Sequence, residues 1–306
     1  MSSAAEYHDI ETQVRSCYAT WSTDYYRDYY ESSKAYPPVH TDIVRQELSA
    51  AKAKTVIDAG CGPASMLRDL VNLGTDRWGF DLTPEMVIEA RRVLAEQGLP
   101  NDRIWEGNVL DPDAYRRPLQ GYGAALCFGV LPHVPVSADA TVLANLTAAV
   151  GPNGLVLLEA RNQLFSLFTL NRYSRDFFRK TLIDEAALRA GAGAHANALD
   201  EVFAEIDGHF RLDLPPLRRG KAGEPGYDEL LSRTHNPFEL AELARRAGLQ
   251  DVEILFYHYH CLPPLAADRI PDVFRTQSLA MENPRDWRGH FMASAFIVKG
   301  TRRGGP

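Results

Sequence analysis

The chain is expected to fold as an α/β protein on a mostly parallel sheet, and three features lead there. Short apolar or β-branched runs alternate with helical stretches from residue 55 to about 160. A Gly60-Cys61-Gly62 turn closes the first run, and an acid, Asp81, ends the second.

Each element follows in order. Residues 6–35 are rich in tyrosine and charge and predict one or two short helices lying over the rest. Pro37-Pro38 breaks the chain, and a helix runs to about Lys52 with Ile43, Val44 and Leu48 as its stripe. Thr55–Asp58 is the first strand, followed by a helix carrying Met66, Leu67, Leu70 and Val71. Trp78–Asp81 is the second strand. Thr83 then caps a helix with Pro84 at its first position, where no amide donor is needed. Arg103–Trp105 and Ala124–Phe128 are strands three and four. A helix from Ser137 to Val150 ends at a turn over Gly151-Pro152-Asn153-Gly154, and Leu155–Glu159 is strand five, apolar enough to be covered on both faces. Strand–helix–strand spacing of this kind implies parallel pairing.

From Arg161 to Thr234 the rhythm stops. That stretch is too long for a loop, so it is read as an insertion with helices at Phe165–Phe178 and Ile183–Phe203. Asn236 as a cap, Pro237 and Gly248 bound a further helix; Val252–Tyr257 and Phe291–Val298 are the last strands. The expected organisation is a helical cap over 1–52, a core over 53–160, an insertion over 161–234, and the rest of the core, with strands six and seven, over 235–306.

Composition narrows the classes. The chain has 306 residues, 45% hydrophobic and 24% charged, as ordinary globular domains have. Its four cysteines lie far apart, which suggests neither a zinc knot nor a disulfide framework, and makes a reducing cytoplasm the simplest setting. The N-terminus lacks the order of a signal peptide, and no apolar run reaches the roughly 20 residues of a membrane span. A net charge of −7 argues against nucleic acid as a partner. Two short basic clusters, Arg172/Arg175/Arg179/Lys180 and Arg218/Arg219/Lys221, read as solvated surface.

The glycine turn lies between a strand and a helix, where a ligand can approach the main chain and unpaired amides. A dinucleotide site would place a third glycine where Ser65 stands, so a ligand without a diphosphate is favoured. Asp81, 19 residues beyond Gly62, can accept two hydrogen bonds from a ribose diol, or serve only the turn that follows it. Asn108 offers a donor and an acceptor to an adenine edge.

The series VIDAGCGPAS, GFDLTPEM, EGNVLD, CFGVLPHVP and GPNGLVLLEA resembles the ordered motifs of class I S-adenosylmethionine-dependent methyltransferases, closely over residues 55–160 and in outline beyond. The resemblance implies a Rossmann-like seven-stranded sheet whose last strand enters antiparallel beside the fifth, and S-adenosylmethionine as cofactor. It implies that Asp58, Gly60 and Gly62, with Cys61 between them, line the methionine and ribose end. Asp81, with Leu82, would hold the ribose hydroxyls, and Asn108 with Val109 would flank the adenine, with Phe128 in the same site. Two departures stand out: the family usually has aspartate at Asn108, and often one near Gly123.

For the chemistry, His133 after strand four is the best base, or else it packs beneath the cofactor and braces its loop. Glu159 and Arg161, ending strand five, either orient a substrate or bind the insertion. Strand alternation puts His258 and His260 on one face and Tyr257 and Tyr259 on the other. Two such histidines could begin a metal site, but no third ligand declares itself, so no metal is expected; His260 is read as reaching the substrate cavity. Tyr25 and Tyr29 are the tyrosines expected to close over a sulfonium, and helix packing explains them equally. The apolar start of the insertion is expected to be a lid over the acceptor or a homodimer contact. The leading function is O-methylation of a small molecule, in the manner of enzymes that tailor natural products and sugars. N- or C-methylation, an NAD-dependent oxidoreductase and a silent scaffold are the competing readings.

Overall fold

The computed structural model describes residues 4–30, 37–116, 121–214 and 229–304, apart from the side chains of residues 4–6 and 29. Seven strands form one sheet in the order β3-β2-β1-β4-β5-β7-β6. They are β1 (Thr55–Ala59), β2 (Asp76–Asp81), β3 (Ile104–Glu106), β4 (Tyr122–Cys127), β5 (Val150–Arg161), β6 (Leu249–Tyr259) and β7 (Ala293–Arg302). β1 pairs in parallel with β2 and β4, and β7 enters antiparallel between β5 and β6. This is the seven-stranded Rossmann-like sheet that the motifs implied.

Helices cover both faces. α1 (Ala4–Ala19) and α2 (Tyr25–Tyr29) form the N-terminal cap, and α3 (Val39–Ala50) follows the proline pair. α3, α4 (Ser65–Asp69) and α5 (Pro84–Ala95) bury Ile43, Leu67 and Val87 against one face. α6 (Asp139–Ala149) and α11 (Pro237–Arg246) bury Leu143, Leu146 and Leu240 against the other. Leu155–Leu158 on β5 are no more than 1% exposed, as a strand covered on both faces requires.

Several local expectations change. The helix after the glycine turn stops at Asp69, and Val71 lies in a 3₁₀ turn, 43% exposed, before Gly74 in left-handed backbone. Thr83 has the extended backbone of a cap, but its side chain makes no capping bond. Gly151–Gly154 is a bulge within β5, because Val150 already pairs with Tyr122 before Leu155 pairs with Ala124. Phe291 belongs to a helical turn over Gly289–Met292, so β7 begins at Ala293.

Among the described residues, the two helices expected in the insertion are broken into four. α7 (Ser166–Thr169) ends at Leu170, whose φ of 54° is left-handed, and Asn171 recaps α8 (Arg172–Phe177) by accepting from Tyr173 N. Asp184 caps α9 (Glu185–Gly191), and left-handed Gly193 separates it from α10 (Ala196–Gly208). Periodicity shows none of these stops, because the apolar spacing continues through them. The basic residues here are met by acids: Arg175 and Lys180 pair with Asp176, and Arg179 with Glu185 and Asp207. Arg218, Arg219 and Lys221 lie outside the described residues. Among the described residues no helix is long and apolar enough to cross a membrane.

The alternation at the end of β6 fails too. His258 has φ of 62°, so Tyr257 packs on one face of the sheet and Tyr259 on the other. A left-handed residue adds an uneven twist that strand periodicity cannot anticipate.

Asn162, 2% exposed, fastens the start of the insertion to the core. Its amide donates to the carbonyls of Gly289, His290 and Ala293 at 3.1, 2.9 and 2.8 Å, and its oxygen accepts from Leu164 N at 3.0 Å. Asn162→Ala strands these buried groups and is expected to cost at least about 2 kcal/mol in urea unfolding. A loss below about 0.5 kcal/mol would show that water replaces the amide.

Candidate active site

The cleft forms where the sheet order reverses, between the carboxyl ends of β1 and β4. The turn after β1 is zipped to β2: Gly60 N and Cys61 N both donate to Phe80 O, at 2.8 and 2.9 Å. Asp81 accepts from Gly62 N at 2.8 Å and from Thr83 N at 2.9 Å, one bond to each carboxylate oxygen. Each oxygen keeps a second lone pair for a ligand. Burial pushes the Asp81 carboxyl up, and the two backbone amides pull it back.

Asp58 stands behind this turn, 2% exposed, and its Oδ1 has no hydrogen-bond partner. Burial, and then the charge of Asp81, push its carboxyl up to about 7. Cys61 turns the other way: its sulfur packs where a side chain at Gly79 would stand, so the thiol belongs to the core.

The cleft is lined by Gly60, Gly62, Asp81, Leu82, Asn108 and Val109. Phe128, Gly129, Val130 and His133 close one side. Tyr7, Ile10, Glu11, Val14 and Tyr18 of α1 and Tyr25 of α2 form the remaining wall. The α1 residues were not among those expected from sequence, although 7, 10, 14 and 18 follow helical spacing and could have marked an inward stripe. The side chain of Tyr29 lies outside the described residues. Asn108 is held at both ends: its Oδ1 accepts from Leu110 N at 2.9 Å, and its Nδ2 donates to Glu11 Oε1 at 2.5 Å.

His133 is 7% exposed. Its Nδ1 lies 2.7 Å from Leu231 O and its Nε2 2.9 Å from Tyr18 Oη. A carbonyl only accepts, so Nδ1 carries the proton, and the Tyr18 hydroxyl donates to Nε2. Burial, helped by nearby Arg161, lowers the His133 pKa to about 4. The histidine therefore both lines the cleft and braces its loop. Arg233 reinforces the brace, since its Nε donates to Val134 O and its Nη2 to Asp139, each at 2.5 Å.

Glu159 lies under the wall rather than in it, accepting from Gly129 N at 2.7 Å. Arg161 donates to Ser232 Oγ at 2.5 Å and so holds the returning limb of the insertion. His260 is not brought to the cleft: it packs against Phe165 at 4.7 Å and Phe274 at 5.6 Å, and both its ring nitrogens are buried without partners. Burial and neighbouring His258 lower its pKa to about 3. Its ring lies 5.3 Å from that of His258, so the two histidines do neighbour each other, but in this apolar surround and not in the cleft lining. Among the described residues no three His, Cys, Asp or Glu side chains converge as a metal site would need.

Residues 56–154 match the family model described as a methyltransferase domain. The chain is 28% identical over 209 residues to the ubiquinone biosynthesis O-methyltransferase of Burkholderia pseudomallei, covering 68% of this chain and 70% of that one. It is 28% identical over 146 residues to the protein of that name from Xanthomonas euvesicatoria, covering 47% and 58%. Among solved structures it is similar to magnesium protoporphyrin IX methyltransferase of Synechocystis PCC 6803 with bound S-adenosylhomocysteine, at 16% identity and a TM-score of 0.49, covering 96% of this chain and all of that one. Sheet and cleft thus accompany a methyltransferase domain. The chain carries a methyltransferase domain and is an S-adenosylmethionine-dependent methyltransferase, with S-adenosylmethionine as its cofactor.

The glycine turn offers a direct check on the cleft wall. A Cβ at Gly60 would stand 2.3 Å from Val130 Cγ2, on backbone with φ of +78°. Gly98 has a similar φ of +75° but nothing within 4 Å. Gly60→Ala is therefore expected to weaken S-adenosylhomocysteine binding at least about tenfold by displacing the Val130 loop. Gly98→Ala pays only the left-handed strain of about 1–2 kcal/mol and keeps the affinity. Calorimetric titration of both variants checks this, and equal affinities would remove the Gly60–Val130 contact from the account.

Proposed function

We propose that the protein transfers the methyl group to a hydroxyl oxygen of a small, largely apolar molecule. The observation that carries the cofactor assignment is the orphaned Asp58 Oδ1 beside a glycine turn, with a second carboxylate, Asp81, in the adjoining wall. An unpaired buried acid of this kind fits the ammonium group of a methionine tail. Gly60 and Gly62 give that tail room against the backbone. Asp81 fits the ribose diol, with Leu82 beside it. Asn108 and Glu11, with Val109, fit the adenine edge. Phe128 and Tyr25 lie where aromatic faces would flank a cation.

Bound there, the cofactor supplies an electrophilic methyl group on a sulfonium. The chain's own part is alignment and exclusion of water, which can contribute roughly 7–11 kcal/mol. The apolar side chains that line the cleft, Ile10, Val14, Val130 and Val134 among them, support a small, largely apolar acceptor. Oxygen as the nucleophile is supported by the relatives' name, O-methyltransferase.

S-adenosylhomocysteine is expected to raise the melting temperature and NAD to leave it unchanged. The reverse result would favour the oxidoreductase reading. Radiolabelled methyl transfer to catechol rather than to benzylamine would support the hydroxyl assignment. Asp58 adds a proton linkage. With its carboxyl near 7 in the free protein, pairing with an ammonium must expel a proton whenever the pH is lower. Affinity for S-adenosylhomocysteine is expected to rise about tenfold per pH unit from 5.5 toward 7 and then to level. Asp58→Asn is expected to abolish that slope, and a wild-type affinity flat across this range would remove Asp58 from the cofactor site.

A further inference from the structure

We propose that Glu159 is the residue by which this site tells the charged cofactor from its product, in which the sulfur is neutral. Its carboxylate, held behind the cleft wall at Gly129, favours a sulfonium and has no positive charge to answer it once the methyl group has left. The proposal rests on the cofactor placement above and not on the nature of the acceptor.

Its basis is where the buried acids stand. Asp58 on β1 pairs with Leu126 on β4, and Leu126 with Leu157 on β5. Glu159 lies two residues beyond Leu157, so alternation sends it to the same face of the sheet as Asp58. The two acids flank the end of β4, and Cys127, between them on that strand, feels both charges. Just beyond it, Phe128 and Gly129 line the cleft. Glu159 is buried and accepts from Gly129 N at 2.7 Å. At this point the wall is bare backbone, with no side chain at Gly129 to thicken it. On the cleft side stands the Tyr25 hydroxyl, 3.6 Å from where a Cβ at Gly129 would be. The surroundings are rich in rings, and the charge of Glu159 reaches Tyr30 and Tyr257. A charge held among such groups is screened far less than one in water.

The free protein answers this charge poorly. Among the described residues no cationic side chain forms an ion pair with Glu159. Burial pushes its carboxyl up; the Gly129 amide, the charge of Arg161, the Tyr257 hydroxyl and the charge of His235 pull it back. A glutamine would accept the same bond from Gly129 without burying a charge, so packing alone gives no reason for an acid here. The cofactor carries two positive groups, the ammonium of its methionine tail and the sulfonium. Asp58 fits the first, and Glu159, on the same face across β4, fits the second. On transfer the carbon–sulfur electron pair stays on sulfur and the positive charge leaves with the methyl group to the acceptor. The product keeps its ammonium, so Asp58 keeps its partner. Glu159 is again a buried anion, and it weakens the hold on the product relative to the cofactor.

Calorimetric titration at pH 7.5 with S-adenosylmethionine and S-adenosylhomocysteine tests this, because the two differ only by the methyl group and the charge it brings. In Glu159→Gln the S-adenosylmethionine Kd is expected to rise at least about tenfold, while that of S-adenosylhomocysteine stays within threefold. Glu159→Asp keeps the charge and is expected to keep the ratio of the two constants within threefold of wild type. Without ligand, Glu159→Gln is expected to melt no lower than wild type, since it sheds a buried charge. An equal loss of both ligands in Glu159→Gln overturns the proposal, as does a Glu159→Asp ratio that matches Glu159→Gln. So does a Glu159→Gln chain that melts well below wild type or fails to fold, because the acid then serves the wall itself. Were the cofactor to lie elsewhere, Asp58→Asn as well as Glu159→Gln would leave both constants unchanged, and the placement would fall together with the role of Glu159.

Discussion

The reversal of strand order at β1 governs this molecule. Because β2 and β4 flank β1 while their helices cover opposite faces, a crevice must open at the carboxyl ends of those strands and nowhere else along the sheet. The register then sets what stands in it. Asp58 lies beside Gly79, and the missing side chain at Gly79 lets Cys61 and Leu67 pack inward, so the turn can fold over the strand ends. Two carboxylates, Asp58 and Asp81, are buried within mutual influence; among the described residues neither accepts a hydrogen bond from a cationic side chain, and Arg15 acts on Asp81 only through its charge. A fold selected for stability alone would not keep that arrangement, since each buried negative charge raises the energy of the other. It becomes favourable when a cation arrives.

The N-terminal cap is part of the site's wall and not an appendage. Three segments distant in sequence meet at His133: α1 through Tyr18, the loop after β4, and the returning limb of the insertion through Leu231. Trp21 and Leu230 bury the junction. The insertion thus has a mechanical link to the cleft at its far end as well as at Asn162, where it leaves β5. Ordering at either limb bears on the orientation of the imidazole.

Much of the architecture was legible in the sequence because parallel strands buried on both faces leave an unambiguous mark. The Leu155–Leu158 run, the Gly60–Gly62 turn and the Asp81 strand end carry their meaning locally. What failed was information held in single backbone angles: the left-handed residues at Leu170, Gly193 and His258 break a helix, separate two others and twist a strand, while the apolar spacing runs through them unchanged. The site divided in the same way. Gly60, Gly62, Asp81, Asn108 and Phe128 line the cleft while Asp58, Cys61 and Glu159 lie behind it, and Glu11, Tyr18 and Leu231 acquire their places only from tertiary packing. His260 does not line the cleft because Phe165 and Phe274 pack against it, neighbours that only tertiary structure supplies.

Asn108 shows how the cap and the core constrain each other's chemistry. Relatives of this class usually carry an aspartate at this position, and the departure has a physical reason in the structure. Glu11 reaches down from α1 to within 2.5 Å of the Asn108 side chain, a distance at which two carboxylates could not both stay ionised. The amide instead donates to Glu11, and its oxygen closes the turn onto Leu110 N. The negative charge that an aspartate would have contributed from the β3 loop is contributed here by the cap. A substitution that looks like a weakened motif, read along one strand, is a relocated acid once α1 is folded down. On the proposed cofactor placement, what the adenine edge meets therefore depends on the N-terminal helix being in place.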